Sequence, residues 1–308
     1  MNNLQLTALF LLANQNLSQH DGNWLQFDGV NSLRVLELED TIIKKLPDEV
    51  GDLIHLMYLG LKSTDINELP EGLGRLKALQ TLDIRRCGDL TGLSDEILNL
   101  VRLRHLKMFK NKSVCGMKLP AGIGRLTDLL TLTGIHAGGG SEAEIGNLIG
   151  LRKLGVMDVA EDNISELCAS IMKMQCLLSL SLEGKCTYPK GKLVLMESFS
   201  PPPFLQKLCL EGILEKLPAW FGYLERLTNL RLGFSNLSEN PSLVLQVLPN
   251  LKYLTLWQAY DAKKIGKEFC SAGGFPKLEV LSIASRVLEE WTELEEGALP
   301  SLHWICCP

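Results

Sequence analysis

Leucines recur along this chain in short groups of the form LxxLxL, separated by stretches of mixed polar and apolar residues. Clear copies such as LRVLEL, LQTLDI and LKYLTL alternate with weaker ones such as LLTLTG and LHWICC. Successive copies begin 22 to 28 residues apart, and their first leucines are Leu33, Leu56, Leu79, Leu103, Leu129, Leu151, Leu177, Leu205, Leu227, Leu251, Leu278 and Leu302. A repeat of this length predicts one structural unit per copy, with each unit stacked on the next.

The spacing inside each copy predicts what that unit is. The second and third leucines of LxxLxL are two residues apart, so both point to one face of a β-strand, while the first packs where the chain enters the strand. Both the period and the motif are those of a leucine-rich repeat. We therefore predict an α/β fold, a leucine-rich repeat solenoid (horseshoe) with a parallel β-sheet on its concave face and short helices, 3₁₀ turns and loops on its convex face. We expect a single domain over residues 1–308, with about 12 repeats.

Several segments between the strands share a second pattern, in which Leu-Pro is followed by a glycine and then by Leu-x-x-Leu, as in KKLPDEVGDLIHL. Proline suits a first helical turn and glycine permits a tight turn, so we predict a short helix or 3₁₀ turn in these segments. The segments 136–146 (HAGGGSEAEIG) and 185–204 depart from the pattern. We expect loops there.

The apolar N-terminal stretch LTALFLLAN has two interpretations. Leu6, Leu9, Leu11 and Asn14 fit LxxLxLxxN, which predicts a first strand of the solenoid. The alternative is a secretory signal, but no Lys or Arg precedes the apolar run. The nine cysteines are odd in number and form no CxxC pair, which favours reduced thiols. We expect a cytoplasmic or nuclear protein with no membrane span rather than a secreted one.

Two runs of the sequence carry a resemblance to a known family. LRVLELEDTIIKKLPDEVGDLIHLMYLGLKSTDINELPEGLGRLKALQTLDIRRC and FPKLEVLSIASRVLEEWTELEEGALPSLHWICCP resemble the leucine-rich repeat region of plant, cereal-type coiled-coil nucleotide-binding disease resistance proteins. In that family the repeats recognise a pathogen protein or a guarded host protein, and they hold the nucleotide-binding module inactive. The resemblance thus implies a plant-defense module with protein partners. The chain has no GxxxxGK[ST] phosphate loop and ends where the family pattern continues, so we expect a domain truncated at both ends.

A basic cluster stands among the residues predicted to face away from the core, at the third, fifth and seventh positions of LxxLxLx. Arg85, His105, Lys107 and Phe109 occupy such positions, and the cluster also includes the nearby Arg104, with Arg86, Lys110 and Lys112 close in sequence. One interpretation is a solvated charged face, and the other is a docking surface for an acidic partner. The family resemblance implies that this partner is the nucleotide-binding module, in cis or in trans. The net charge of −5 argues against nucleic acid.

An aromatic cluster is predicted in the later repeats, formed by Arg231, Tyr253, Trp257 and Trp304. Large rings and arginine dominate the binding energy of many protein interfaces, so these residues are candidates for ligand recognition. The alternative for Trp304 is the exposed end of a truncated solenoid.

No pattern in the chain predicts an enzyme. The histidines, cysteines and acidic residues show no catalytic or metal-ligating spacing, so we expect no cofactor and no metal. Two functions besides the immune-receptor module remain open. One is a free-standing intracellular scaffold for signalling proteins, and the other, less favoured, is a substrate receptor of a ubiquitin ligase.

Overall fold

Every LxxLxL copy forms a short β-strand in the computed structural model, which describes residues 6–11, 32–87, 90, 92–109, 116–187, 189–195, 197–260, 263–267 and 269–306. The chain divides into two compact units, Met1–Met157 and Asp158–Pro308.

The first unit is built on parallel strands that pair in the order of the sequence. They are β1 (Ala8–Phe10), β2 (Val35–Glu37), β3 (Tyr58–Gly60), β4 (Thr81–Arg85), β5 (His105–Phe109), β6 (Thr131–His136) and β7 (Lys153–Val159), whose last two residues belong to the second unit. The pairing of β1 with β2 confirms the predicted first strand in LTALFLLAN, although Asn14 lies outside the described residues. The connections are the 3₁₀ turns Asp48–Asp52, Glu71–Arg75, Asp95–Asn99 and Ile123–Arg125 and the helix α1 (Ser141–Ile145).

The second unit repeats this arrangement. Its elements are α2 (Ile164–Ile171), β8 (Ser179–Gly184), β9 (Lys207–Glu211), the 3₁₀ turn Ala219–Tyr223, β10 (Asn229–Gly233), α3 (Ser242–Leu245), β11 (Tyr253–Trp257), β12 (Lys264–Ile265), β13 (Val280–Ala284), β14 (Glu290–Trp291) and β15 (Trp304–Cys306). The main strands follow the order β8-β9-β10-β11-β13-β15, and β12 pairs separately with β14. Parallel strands joined by short 3₁₀ turns and helices confirm the predicted leucine-rich repeat fold.

The motif leucines form the core of each repeat. In LRVLEL, Leu33, Leu36 and Leu38 are all 0% exposed. A fully buried leucine contributes about 1.5–3 kcal/mol relative to an exposed one. The same positions are buried in most repeats, but they are partly exposed in the first and last copies, where Leu6 is 37% and Ile305 45% exposed. The hydrophobic pattern therefore sets which face of the strands between these two copies is buried.

The Leu-Pro segments form the predicted 3₁₀ turns, and glycine lets consecutive turns approach closely. The turn Asp48–Asp52 follows Pro47, and Glu71–Arg75 follows Pro70. A Cβ added at Gly51 would overlap the backbone carbonyl of Gly72 in the next repeat. Glycine at this position thus permits the stacking of one turn on its neighbour.

A column of small polar side chains satisfies backbone groups after strands β2 to β4. The Thr41 hydroxyl donates to the Leu38 carbonyl at 2.6 Å, and the Thr64 hydroxyl donates to that of Leu61 at 2.7 Å. Cys87, at the equivalent position of the next repeat and 1% exposed, donates from Sγ to the Leu61 carbonyl at 3.1 Å. Cys87 is therefore a structural residue, and burial raises the pKa of its thiol.

The expectation of a loop throughout 136–146 is wrong, because this segment contains the helix α1. The helix buries Ile145, which is 1% exposed, and the Glu142 carboxylate accepts the Gly138 N–H before the first turn. The Glu144 carboxylate accepts the Gly122 N–H at 2.6 Å in the preceding repeat. No helix in the described ranges is long and apolar enough to cross a membrane.

Candidate functional site

Alternation along most strands creates an exposed face opposite the leucine core. In β5, Leu106 and Met108 are 0% exposed, whereas His105 and Lys107 are half-buried and Phe109 is 42% exposed. The register extends this pattern across strands, because Thr81 lies beside His105, Asp83 beside Lys107 and Arg85 beside Phe109. We call a line of such laterally neighbouring side chains a row.

The structure brings Arg85 and Lys107 of the basic cluster together, and both lie against the buried carboxylate of Asp83. Arg85 donates from Nε and Nη2 to the two carboxylate oxygens of Asp83, at 2.8 and 2.6 Å. The Lys107 ammonium lies 3.7 Å from Asp83 Oδ2, and the Asp83 side chain is only 2% exposed. The hydrogen bonds from Arg85 to Asp83 are the main cause of the raised pKa of Arg85. Arg85, Lys107 and Asp83 therefore form one network, whose two cations and one carboxylate give a net charge of about +1.

His105 contributes a hydrogen bond rather than a charge. Its Nδ1 lies 3.0 Å from the Thr131 hydroxyl on β6. Desolvation by burial lowers the pKa of His105, and the positive charges of Lys107 and Arg104 lower it further. The lowered pKa favours the neutral form of the imidazole.

The remaining residues of the basic cluster lie at its border. Arg104 is exposed and immediately precedes β5, and Phe109 ends that strand with 42% of its surface exposed. Lys110 and Lys112 lie outside the described residues.

A group of acidic residues on the same exposed face was not part of the predicted cluster. The Tyr58 hydroxyl donates to Glu37 Oε2 at 2.8 Å, and the Glu39 N–H donates to Glu37 Oε1 at 3.2 Å. Glu39 forms an ion pair with Lys62. Desolvation, followed by the hydrogen bond to Glu37, raises the pKa of Tyr58 well above its usual value. The LxxLxLx frame contained this signal, since these side chains occupy its exposed positions.

In the second unit, the residues of the aromatic cluster are spread over three strands. Tyr253 and Trp257 both lie in β11, four residues and thus about 13 Å apart along the strand. Trp304, which is 66% exposed, lies in β15, two strands from Tyr253 in the same row. Ring contacts in the described part of the chain pair none of these three with another aromatic side chain. They offer separate apolar contacts rather than one stacked group.

Arg231 is positioned by an acid on the adjacent strand. Its Nε donates to Glu211 Oε1 at 2.9 Å, across the β9–β10 pair. Beside it lies Cys209, whose thiol pKa is raised to about 11, mainly by burial and then by the charge of Glu211. In the same unit Glu183 forms an ion pair with Lys190, yet burial raises the pKa of Glu183.

Among the described residues, no group of three or more His, Cys, Asp or Glu side chains is arranged to hold a metal ion. What the exposed faces offer chemically is a set of hydrogen-bond donors and acceptors, paired charges and aromatic rings fixed by strand register. Such features recognise another molecule's surface.

The chain belongs to the leucine-rich repeat family: the family described as "Leucine-rich repeat region" matches residues 15–307. Among related proteins it is 30% identical, over 98% of its length, to the probable disease resistance proteins RF45 and RF9 of Arabidopsis thaliana, and covers 29% of each. It is also 30% identical over 90% of its length to disease resistance protein RPP8 of the same plant, covering 30% of that protein. The chain thus spans less than a third of these relatives. The resemblance to plant disease resistance proteins is confirmed.

Solved structures share the fold. An internalin from Listeria monocytogenes matches with a TM-score of 0.66 and 18% identity, over 91% of this chain and 75% of the internalin. A leucine-rich repeat protein of Leptospira interrogans matches with a TM-score of 0.64 and 20% identity, over 90% of this chain and 73% of that protein. At these identities the likeness establishes the fold alone.

Proposed function

We propose that this chain is the protein-binding leucine-rich repeat module of an intracellular plant immune receptor, acting in the cytoplasm or the nucleus. It recognises a pathogen effector or a guarded host protein, and it restrains a nucleotide-binding module in cis or in trans. The observation that carries this proposal is the match to plant disease resistance proteins along 98% of the chain. A binding role rather than catalysis is supported by the exposed strand faces, on which charged and aromatic side chains are held in register.

Within this function we assign the basic cluster to the contact with the nucleotide-binding module. Arg104 is exposed, and the network of Arg85, Lys107 and Asp83 retains a net positive charge. Complementary charge at such a contact governs the association rate and the choice of partner more than the affinity. We assign the aromatic cluster to recognition of the effector or guarded protein, because buried rings anchor many protein interfaces.

Restraint is tested in a chimaeric receptor, in which this chain replaces the matching region of RF45 and is expressed in leaf tissue. The chimaera with the unaltered chain is expected to be silent. Reversal of the basic cluster by Arg85→Glu, Arg104→Glu and Lys107→Glu should cause cell death without a pathogen, and should weaken binding of the isolated chain to the rest of RF45 in a pull-down. The control carries three reversals at exposed positions away from the strand face, Arg102→Glu, Arg125→Glu and Lys173→Glu. Silence of both triple variants, each shown to be folded by circular dichroism, would contradict the restraining role.

Recognition is tested at Trp257. For a pathogen protein that activates the chimaera, Trp257→Ala should weaken binding by about 30-fold if the indole is an anchor, which corresponds to ~2 kcal/mol. Tyr223 is a matched control, because it is aromatic, 81% exposed and located in a 3₁₀ turn rather than on the strand face. Equal affinities for the unaltered chain and Trp257→Ala would reject this role for Trp257.

A further inference from the structure

Lys207 is an exposed lysine on the strand face of the second unit, where it begins β9. The other described lysines and arginines in the strands of this unit are ion-paired, Arg231 with Glu211 and Lys264 with Glu290. No described carboxylate forms an ion pair with Lys207. An ammonium group without an internal counter-ion keeps its three donors for a carboxylate on another molecule.

Asn229 presents a second donor next to Lys207. The register places the two residues side by side on β9 and β10, so their side chains leave the sheet on the same face. The Thr228 hydroxyl donates to Asn229 Oδ1 at 2.8 Å, which engages the acceptor end of the amide. Nδ2 has no acceptor among the described residues. Lys207 and Asn229 are therefore adjacent donors with no internal acceptor.

The neighbours of this pair in the row leave it open to another molecule. On one side Lys207 has Ser179, a small, half-buried residue of β8. On the other side Asn229 has Tyr253, which is 42% exposed. None of the four side chains is fully buried. An incoming side chain can thus reach the two donors while apolar atoms of the same partner pack on the Tyr253 ring.

Acidic residues on the surrounding strands do not neutralise Lys207, because they are already paired. Glu211, at the far end of β9, pairs with Arg231 at 2.9 Å. Glu279, just before β13, pairs with Lys252 at 2.7 Å, and a hydrogen bond with Tyr253 also contributes to its lowered pKa. The unpaired positive charge at Lys207 therefore complements a negatively charged group.

We propose that Lys207 and Asn229 bind an aspartate or glutamate side chain of the protein partner, with Tyr253 packing against the residues beside it. The carboxylate accepts hydrogen bonds from Lys207 Nζ and Asn229 Nδ2. The proposal rests on protein recognition as the proposed function and names the chemical group that is recognised. A nucleic acid fits less well, because its affinity depends on several phosphate contacts and the chain carries a net charge of −5.

The test is selection from a phage library of eleven-residue peptides against the unaltered chain and three variants. Flanking positions carry uncharged residues only, and the central position is Asp, Glu, Asn, Gln, Lys or Arg. The unaltered chain should enrich Asp and Glu about tenfold over the isosteric Asn and Gln. Lys207→Glu should select Lys and Arg instead. Asn229→Asp should abolish the acidic preference, because it places a carboxylate beside Lys207 with little change of shape.

The matched control is Lys173→Glu, the same reversal at an exposed lysine that follows α2 outside the strand face, and it should select as the unaltered chain does. Equal recovery of acidic and amide centres by the unaltered chain, or recovery of no peptide above background, would overturn the proposal. An acidic preference that survives in Asn229→Asp would also overturn it, even if circular dichroism shows Lys207→Glu to be unfolded.

A phosphate ligand is tested with random-sequence single-stranded DNA. Retention of this DNA by the unaltered chain and its loss in Lys207→Glu would assign the site to phosphate and overturn the proposal. Failure here is distinguishable from failure of the proposed function, because restraint in the chimaeric receptor is measured without any peptide and depends on a different cluster.

Discussion

Asp83 and Arg85 provide a quantitative test of the network within the basic cluster. Asp83 is 2% exposed at its side chain and Arg85 is 40% exposed, so the pair is neither a surface ion pair nor a fully buried one. Exposed pairs contribute about 0.2–1 kcal/mol, whereas removal of one partner from a fully buried pair costs about 3–5 kcal/mol. Arg85 and Asp83 share two charge-assisted hydrogen bonds, at 2.8 and 2.6 Å, and only Asp83 is fully removed from water. We therefore expect Asp83→Ala to lower the free energy of unfolding by about 2 kcal/mol, between the two limits.

The measurement is a double-mutant cycle with Asp83→Ala, Arg85→Ala and the double variant, each unfolded in urea. We expect a coupling energy of about 1–2 kcal/mol and unchanged urea dependence of the unfolding free energy. Lys107→Ala should cost less than Arg85→Ala, because its ammonium lies 3.7 Å from Asp83 without a hydrogen bond. A coupling energy below about 0.3 kcal/mol would be within the error of additivity, and would refute the view that the Asp83 carboxylate holds Arg85 in place.

Three further predictions concern stacking, thiol reactivity and pH. Gly51→Ala should lower the free energy of unfolding, measured in urea, by about 1–3 kcal/mol, since its Cβ would overlap Gly72. Gly222→Ala, at the same motif position, has open space around it and should be near neutral. The thiol pKa of about 11 predicts that Cys209 alkylates about 100-fold more slowly at pH 8 than an unshifted thiol, which mass spectrometry of iodoacetamide-treated protein measures. Burial raises the folded-state pKa of Glu183 above its usual value of 4.5. The protonated carboxyl therefore stabilises the fold below pH 4.5, and this contribution is lost as the pH rises through the folded-state pKa. The stability of Glu183→Gln relative to the unaltered chain should consequently increase from about pH 4 to about pH 7, as urea unfolding at each pH measures.

The strands were predictable because one physical requirement fixes them. A repeat has too little apolar surface to fold alone, so its leucines must face a neighbour, and a period of two residues then fixes which side chains point away. His105, Lys107 and Phe109 lie on the exposed face for this reason. The Leu-Pro turns were equally accessible, since proline and glycine restrict the backbone locally.

The chemistry of the basic cluster was less accessible, because it depends on side-chain contacts. The sequence indicates that Asp83 shares a face with Arg85, but the alternation of a strand does not determine which cation the carboxylate accepts. The sequence also does not predict the lowered pKa of His105, which results from burial of the imidazole beside Lys107 and Arg104. For residues 136–146, the absence of Leu-Pro suggested a loop. The structure instead forms the helix α1, which places Ile145 in the core.

Charge in this fold has to be interpreted by rows rather than by runs of sequence. Most ion pairs among the described residues join adjacent repeats: Lys62 pairs with Glu39, Arg231 with Glu211, and Lys252 with Glu279, over separations of 20 to 27 residues. A partner that crosses the strands meets one residue from each repeat every 4.8 Å or so, in an order that a linear scan for charge clusters does not give. A basic run such as that around Lys107 is therefore partly neutralised by an acid one repeat earlier, while Glu37, in the acidic run with Glu39 and Asp40, accepts a hydrogen bond from Tyr58 of the next repeat.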